Sequence, residues 1–295
     1  MVIPSERGVD QMSEQAMPYK RSPDLPSYSS PPVTQVDIGL HIQALKLRGV
    51  DLGDLYGRFR ENYPLIEEHP PSPMQIERFP GGSPSGVHFE FQLLDRPPLP
   101  MLVFLTGDRS SLVQVDSSRF FCAWRRSADD IAYPSYEKFR AAFVRNVEIF
   151  EQFTTDVDAE AKSIVQAEVS YVNDIPMRHE AMPDFLVREI PFLANKGLPG
   201  EEEISSVCAA HHITYKTSQG VEYARLHISA EPVAVGAETA LRLILVYRGE
   251  PREKYAGMDA LSAVMSFLDE GHDRVVRAFT AYTTPEAHRL WGRVT

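Results

Sequence analysis

Two stretches of alternating apolar and polar residues constrain the fold of this chain more than any other feature of its sequence. VTQVDIGLHI, residues 33–42, has an apolar side chain at every second position from Val36 onward, and IVQAEVSYVN, residues 164–173, follows a similar pattern. Successive side chains of a strand point to opposite faces of a sheet, so both stretches are predicted to be strands with one buried face. Each also places Gln, an acid and then a small residue on its polar face.

The elements that follow each of these strands come in the same order. A strand, a helix, several strands and a long helix are predicted first in 33–157 and again in 158–295. Besides the similarity of 33–42 to 164–173, a second pair of segments is similar. CAWRR ends the last predicted strand of the first part, and LVYRG ends the last predicted strand of the second. Two sequence similarities at corresponding places, within the same order of elements, indicate an internal duplication. We therefore expect a flexible tail at 1–32, disordered or loosely docked, and two halves at 33–157 and 158–295. If the tail docks, Tyr19, Leu25 and Tyr28 are its expected anchors.

Glycine, proline and apolar patterns predict the structure of several segments outside the two alternating stretches. The Pro- and Gly-rich residues 65–85 are predicted to be a long connection and 87–94 a strand. A short helix is expected at 182–190. The last long helix is predicted to start near Gly257 and to be kinked or interrupted at Gly271.

The predicted fold class is α+β, with two tandem helix-grip-like halves. In each half one curved antiparallel sheet would hold a long helix against one face. In element order alone, two such units side by side resemble the saddle of the TATA-binding protein or a duplicated ligand-cup protein. A shared fold does not by itself imply a shared function.

Composition and charge narrow the classes of function. The formal net charge of the 295 residues is −11, and neither half is basic, which argues against nucleic-acid binding because that draws its affinity from Lys and Arg. The apolar runs are too short to span a bilayer. The first residues lack the apolar core of a signal peptide, and Cys122 and Cys208 have no zinc-site spacing, so we expect two buried thiols in a cytoplasmic protein.

Polar residues on the sheet face away from the helices are the first candidates for ligand binding. Two acids in symmetric places favour acid–base chemistry or hydrogen bonding to a ligand, and two arginines at strand ends favour an anion. The simpler interpretation is a solvated sheet face, with each arginine paired to a nearby acid. The candidates are Gln35, Asp37, Arg125, Gln166, Glu168 and Arg248.

The segment FLDEGHDRVVRAF carries a second candidate, an acid/base cluster of Asp269, His272 and Asp273. At helical spacing these residues share a face, and an ordinary histidine titrates near neutrality. Helix-surface and capping chemistry explains the same residues. The chain has no glycine-rich phosphate loop, GxSxG or HExxH motif, so no cofactor or metal is predicted and the catalytic residues stay unknown.

Three segments resemble a sporadically distributed family of uncharacterised bacterial proteins of about this length. They are WRR with YPSYEKFRAAF at 124–143, EVSYVNDI at 168–175, and a closing FLDEGHDRVVRAFTAYTT with AHRLWG at 267–292. The resemblance implies no particular activity, and sporadic occurrence suggests an accessory or defence role.

The leading functional hypothesis is a non-catalytic binding module that recognises a protein partner or a small-molecule ligand through the sheet face and the groove between the two halves. One alternative is a hydrolase-like enzyme that uses Asp37, Glu168, His272 and the paired arginines. The other is saddle-like nucleic-acid binding, which the negative charge disfavours.

Overall fold

The first alternating stretch forms strand β1, Val33–Ile42, in the middle of the sheet. Val36, Ile38 and Leu40 are buried beneath the helices, whereas Asp37 lies on the opposite face. In a computed structural model the described residues are 19–71, 75–79, 99–128, 131–157, 163–177, 188–190, 208–236 and 238–294.

The described strands form one open sheet in which every neighbouring pair is antiparallel. Their order is β2-β3-β4-β5-β1-β6-β9-β8-β7. After β1 they are β2 Leu65–His69, β3 Met101–Leu105, β4 Ser111–Asp116, β5 Arg119–Arg125, β6 Ile164–Pro176, β7 Ala209–Lys216, β8 Glu222–Val235 and β9 Glu238–Gly249.

Two long helices supply most of the helical side of the core. The apolar residues of α2 and α4 belong to the same buried cluster as the inward faces of β1, β5, β6 and β9. Their amphipathic spacing gives each helix one apolar stripe for this contact. The described helices are α1 Gly49–Phe59, α2 Tyr136–Val157, α3 Pro251–Lys254, α4 Ala260–Tyr282 and α5 Pro285–Leu290.

The α+β class is confirmed, with one antiparallel sheet and helices packed on it. The first strands of the two predicted halves, β1 and β6, lie side by side at its centre, and each pairs on its other side with the last strand of its own half. The last strand pairs with the first strand in a different register in each half. Arg125 lies opposite Gln35 in the first half, whereas Arg248 lies opposite Glu168 in the second. The internal duplication stays a prediction.

Helix α4 runs without interruption through Gly271, so the predicted break is wrong. A Cβ atom at Gly271 would lie 2.7 Å from Cδ1 of Tyr247 and 3.2 Å from Cγ2 of Val169. The glycine therefore lets the helix approach the sheet closely, rather than breaking it.

Two further expectations are corrected. Residues Leu65–His69 form the edge strand β2, although the sequence predicted a connection there. Cys208 is exposed, whereas Cys122 is buried and accepts a hydrogen bond from Asn146 at 3.4 Å. The predicted strand 87–94 and most of the predicted helix 182–190 lie outside the described residues.

Part of the segment predicted to be a tail is packed on the body. Leu25 is buried, and Tyr28 packs edge-on against Phe279 and Trp291 and forms an isolated bridge with Arg293. Residues 1–18 of the predicted tail lie outside the described residues.

Candidate functional site

The sheet face opposite the helices carries a polar cavity of about 220 Å³ over its central strands. Asp37 and His41 come from β1, and Glu168 and Ser170 from β6. β5 and β9 supply Arg119 and Arg248. The described lining is Asp37, His41, Gln75, Gln114, Arg119, Phe121, Glu168, Ser170 and Arg248.

His41 is the most deeply buried ionisable side chain of the cavity, with 3% of its surface exposed. Its ring packs edge-on against Phe121, and its Nε2 lies 3.6 Å from a carboxylate oxygen of Glu168. Neither ring nitrogen has a hydrogen-bond partner among the described residues. A buried polar atom is normally hydrogen-bonded, so this histidine is unusual.

Asp37 lies on the same face of β1 as His41, four residues earlier in the strand. Burial raises the pKa of Asp37 to about 7, and the nearby negative charge of Glu168 adds to the rise. Hydrogen bonds from Nε2 of Gln35, at 2.9 and 3.0 Å, partly oppose it. The carboxyl therefore changes its protonation state near neutral pH.

Arg248 closes one side of the cavity and contacts both of its nearest acids. Its Nε lies 3.3 Å from Glu168 and 3.7 Å from Glu77, and its Nη1 donates to the side-chain oxygen of Gln75 at 2.8 Å. The Nε atom itself is buried and makes no hydrogen bond among the described residues. Its charge is thus partly neutralised while one donor stays available.

Glu77 joins the cavity wall to the outer strands. Its carboxylate accepts from Arg225 at 2.6 Å and contacts Nε2 of His227 at 2.5 Å. Burial acts to raise the pKa of Glu77, but His227 and the two neighbouring arginines outweigh it and hold the pKa below its usual value. The carboxylate is therefore ionised and forms a buried ionic cluster with its partners.

Gln166 anchors the same wall. It is fully buried, and its amide accepts from the backbone N–H of Glu77 at 2.8 Å and donates to the carbonyl of Gln75 at 3.0 Å. This double contact holds the short segment 75–79 against the sheet. Gln166 thus positions the wall without lining the cavity.

The six predicted ligand-binding residues are only partly brought together. Asp37, Glu168 and Arg248 line the cavity, Gln35 hydrogen-bonds Asp37, and Gln166 holds the wall. Arg125 does not line it. Its Nε donates to the backbone carbonyl of Arg109 at 3.2 Å, at the far end of β5.

The predicted acid/base cluster of Asp269, His272 and Asp273 lies on the helix side of the sheet. Each of the three side chains is bonded to a different element. Asp269 accepts from Arg140 and Tyr136 of α2, and Asp273 accepts from the hydroxyl of Tyr19 at 2.7 Å.

His272 Nδ1 is 2.8 Å from the hydroxyl of Tyr171, and burial lowers the pKa of His272 to about 3. The imidazole is therefore neutral at physiological pH, and the expected titration near neutrality does not hold.

Several cavity residues were not singled out from the sequence. His41 was visible, since it follows Asp37 by four residues and shares its strand face. Arg119 lies opposite His41 in the β1–β5 register, a pairing of strands far apart in sequence that no local pattern determines. Glu77 reaches the sheet from a non-strand segment, and no local pattern predicts such a contact.

Within the described ranges, no group of three or more His, Cys, Asp or Glu side chains is arranged to hold a metal ion. None of the helices in that part of the chain combines the length and the apolar composition needed to cross a bilayer. No protein-family model, curated protein or solved structure matches the chain.

Proposed function

We propose that the protein binds a small polar molecule in the cavity on the sheet face. The observation that carries the proposal is the buried pair of unsatisfied groups there. Both ring nitrogens of His41 and Nε of Arg248 lack hydrogen-bond partners among the described residues. Leaving such a group unsatisfied costs about 1–3 kcal/mol, and a bound ligand that supplies partners would recover that cost.

The charges of the lining indicate the kind of ligand. Two acids, Glu168 and the titrating Asp37, line the cavity together with two arginines, Arg119 and Arg248. A bound ligand therefore meets both negative and positive charges. A ligand with a large net charge would be repelled either by the two acids or by the two arginines. A zwitterion or a neutral molecule with several donors and acceptors would meet both.

The size of the cavity favours a small molecule over a protein partner. Pockets for drug-sized ligands span about 300–1,000 Å³, and this cavity of about 220 Å³ is smaller. Its concave, polar lining differs from the apolar centre of a stable protein interface. The acids at its centre also disfavour nucleic acid.

An acid–base enzyme is the second candidate, because Asp37 titrates near neutral pH. A catalytic acid or base works best with a pKa near the operating pH. The hydrolase hypothesis then involves Asp37, Glu168 and His41 rather than His272, which lies on the other side of the sheet. If the protein is such an enzyme, the Asp37→Asn variant should still bind the substrate but no longer convert it to product. Mass spectrometry of the substrate after incubation with each protein would show the difference.

Thermal shift against free amino acids, monosaccharides and nucleosides at millimolar concentration tests the binding proposal. A ligand at 100 times its Kd stabilises a protein by about 2.7 kcal/mol, and each kcal/mol raises Tm by about 2–4 °C at this size. We expect Arg248→Met to abolish the shift. Arg125→Met, which removes an arginine outside the cavity, serves as the matched control and should retain it. Failure of every compound, or equal shifts in both variants, would contradict the proposal.

A further inference from the structure

A second cavity lies on the other side of the sheet, between the N-terminal segment and the two long helices. Its volume is about 430 Å³, within the usual range for small-ligand pockets. Residues 26–31 cover one side, and the start of α2, strand β6 and helix α4 form the others. The aromatic and basic residues of its described lining include Arg126, Tyr133, Tyr136, Tyr171, His272 and Phe279.

Aromatic rings form the inner walls of this cavity. The rings of Tyr136 and His272 are stacked, 3.9 Å apart and nearly parallel. Tyr133 packs edge-on against Tyr171, and their hydroxyls are 3.2 Å apart. Flat, polarisable walls of this kind favour a planar ring, which can stack on them or meet them edge-on.

His272 provides the polar group deep in the cavity. It is 4% exposed, and its Nδ1 is occupied by the hydroxyl of Tyr171. Its Nε2 is buried and has no hydrogen-bond partner among the described residues. Since the ring is neutral, Nε2 presents a single donor or acceptor to the cavity contents, depending on the tautomer.

The mouth of the cavity carries a positive balance. Among its described lining residues, Arg21 and Arg126 are exposed and Glu137 is the one acid. Arg126 donates to the backbone carbonyl of Pro31 at 3.4 Å, a long contact that uses one of its five N–H groups. A guanidinium at the mouth of an aromatic pocket suits a carboxylate, sulfonate or phosphate.

We propose that this cavity is a second ligand site, which binds a planar aromatic molecule bearing one anionic group. The ring lies among Tyr133, Tyr136 and Phe279, a polar ring substituent bonds Nε2 of His272, and the anion meets Arg126 at the mouth. The site is independent of the cavity on the polar face, because the sheet separates the two.

The probe for the test is 6-(p-toluidino)-2-naphthalenesulfonate, an aromatic sulfonate that carries its amine at the opposite end of the naphthalene ring and whose fluorescence rises in apolar surroundings. We expect saturable binding at one site. His272→Asn keeps a polar atom near the Nδ1 position for Tyr171 and loses Nε2, and we expect it to weaken binding about tenfold, the size of one hydrogen bond of 1.4 kcal/mol. Arg126→Ala should weaken binding and make it less sensitive to salt.

A variant at the mouth covers the case in which His272→Asn fails to fold. Ala132 is exposed and lines the cavity, so Ala132→Trp fills the mouth from the surface. We expect it to block the probe, whereas the surface variant Arg252→Ala leaves binding unchanged. Cooperative urea unfolding checks each variant, since molten states also bind this dye. Non-saturable binding, or equal binding by Ala132→Trp and the wild type, would overturn the proposal.

Discussion

Arg248 of β9 and Glu168 of β6 lie opposite each other in the sheet, with Nε of the arginine 3.3 Å from the carboxylate. The next strand, β1, adds Asp37 and His41 beside them. The cavity therefore takes its residues from both predicted halves, at the point where their first strands meet. A site of this kind requires the halves to pair through β1 and β6.

Replacing His41 by Phe should stabilise the ligand-free protein. The substitution removes two buried nitrogens that have no hydrogen-bond partner among the described residues, and it keeps the ring contact with Phe121. We expect the free energy of unfolding to rise by about 1 kcal/mol, measured by urea denaturation, while the thermal shift by a cavity ligand is lost. Stability gained by removing a polar group is typical of a group kept for binding.

His227→Phe is the matched control for His41→Phe. His227 contacts Glu77 at 2.5 Å, so its loss leaves a buried carboxylate with one partner fewer. We expect the free energy of unfolding to fall by about 2 kcal/mol. Destabilisation by both substitutions would show that His41 is a structural residue.

Glu77→Gln should strongly destabilise the fold. Glu77 is 6% exposed and is the shared partner of Arg225, His227 and Arg248. Removing one member of a buried ionic group leaves the others uncompensated and costs about 3–5 kcal/mol. Glu67→Gln breaks an exposed contact with Arg109 and should cost far less. Equal losses in urea denaturation would contradict the role given to Glu77.

Asp37 should make stability depend on pH in a defined direction. Its pKa is about 7 in the folded protein against an ordinary value of 3.8, so the folded state holds its proton more tightly. The cost of burying the charge is fully present above pH 7 and is relieved as the pH falls toward 4.

Asp37→Asn tests this dependence. At pH 8 the variant should be more stable than the wild type by at most about 4 kcal/mol, the equivalent of three pKa units, and the difference should vanish near pH 4. Asp156→Asn removes an exposed acid of α2 and should show no such trend. A pH-independent difference for Asp37→Asn would contradict the raised pKa.

Gly271→Ala should destabilise the protein although alanine favours helices. The added Cβ would overlap the buried ring of Tyr247 at 2.7 Å, and overpacking costs about 1–3 kcal/mol. The added Cβ of Gly57→Ala on α1 meets no atom of the described residues within 4 Å, so this variant should be stabilised by up to about 1 kcal/mol. A gain in free energy of unfolding for both variants would show that α4 can move away from the sheet.

The sequence predicted the fold class and the central strands because alternation over ten residues reports burial on one face directly. It also predicted that Asp37 and Glu168 share the polar face, since their strand positions determine it. The break at Gly271 was predicted wrongly because a glycine within a helix looks the same in sequence whether it breaks the helix or permits close packing. Only the position of Tyr247 on another strand distinguishes the two.

The cavity could be predicted only in part because its other residues depend on contacts between distant segments. Gln75 lines it from outside any strand, in a segment that the amide of Gln166 holds through the backbone of Gln75 and Glu77. Arg125 and Arg248 look equivalent in sequence, each following an aromatic residue at a strand end. They differ in surroundings, since Arg248 lies beside Glu168 whereas Arg125 bonds a backbone carbonyl.

The most direct measurement of the central claim is affinity capture from the small-molecule fraction of a cell extract, read by mass spectrometry. The wild type and Arg125→Met should retain the same small polar compounds, and the double variant His41→Phe/Arg248→Met should release them. Retention of the same compounds by the double variant, or of none by the wild type, would contradict ligand binding in the cavity formed by β1 and β6.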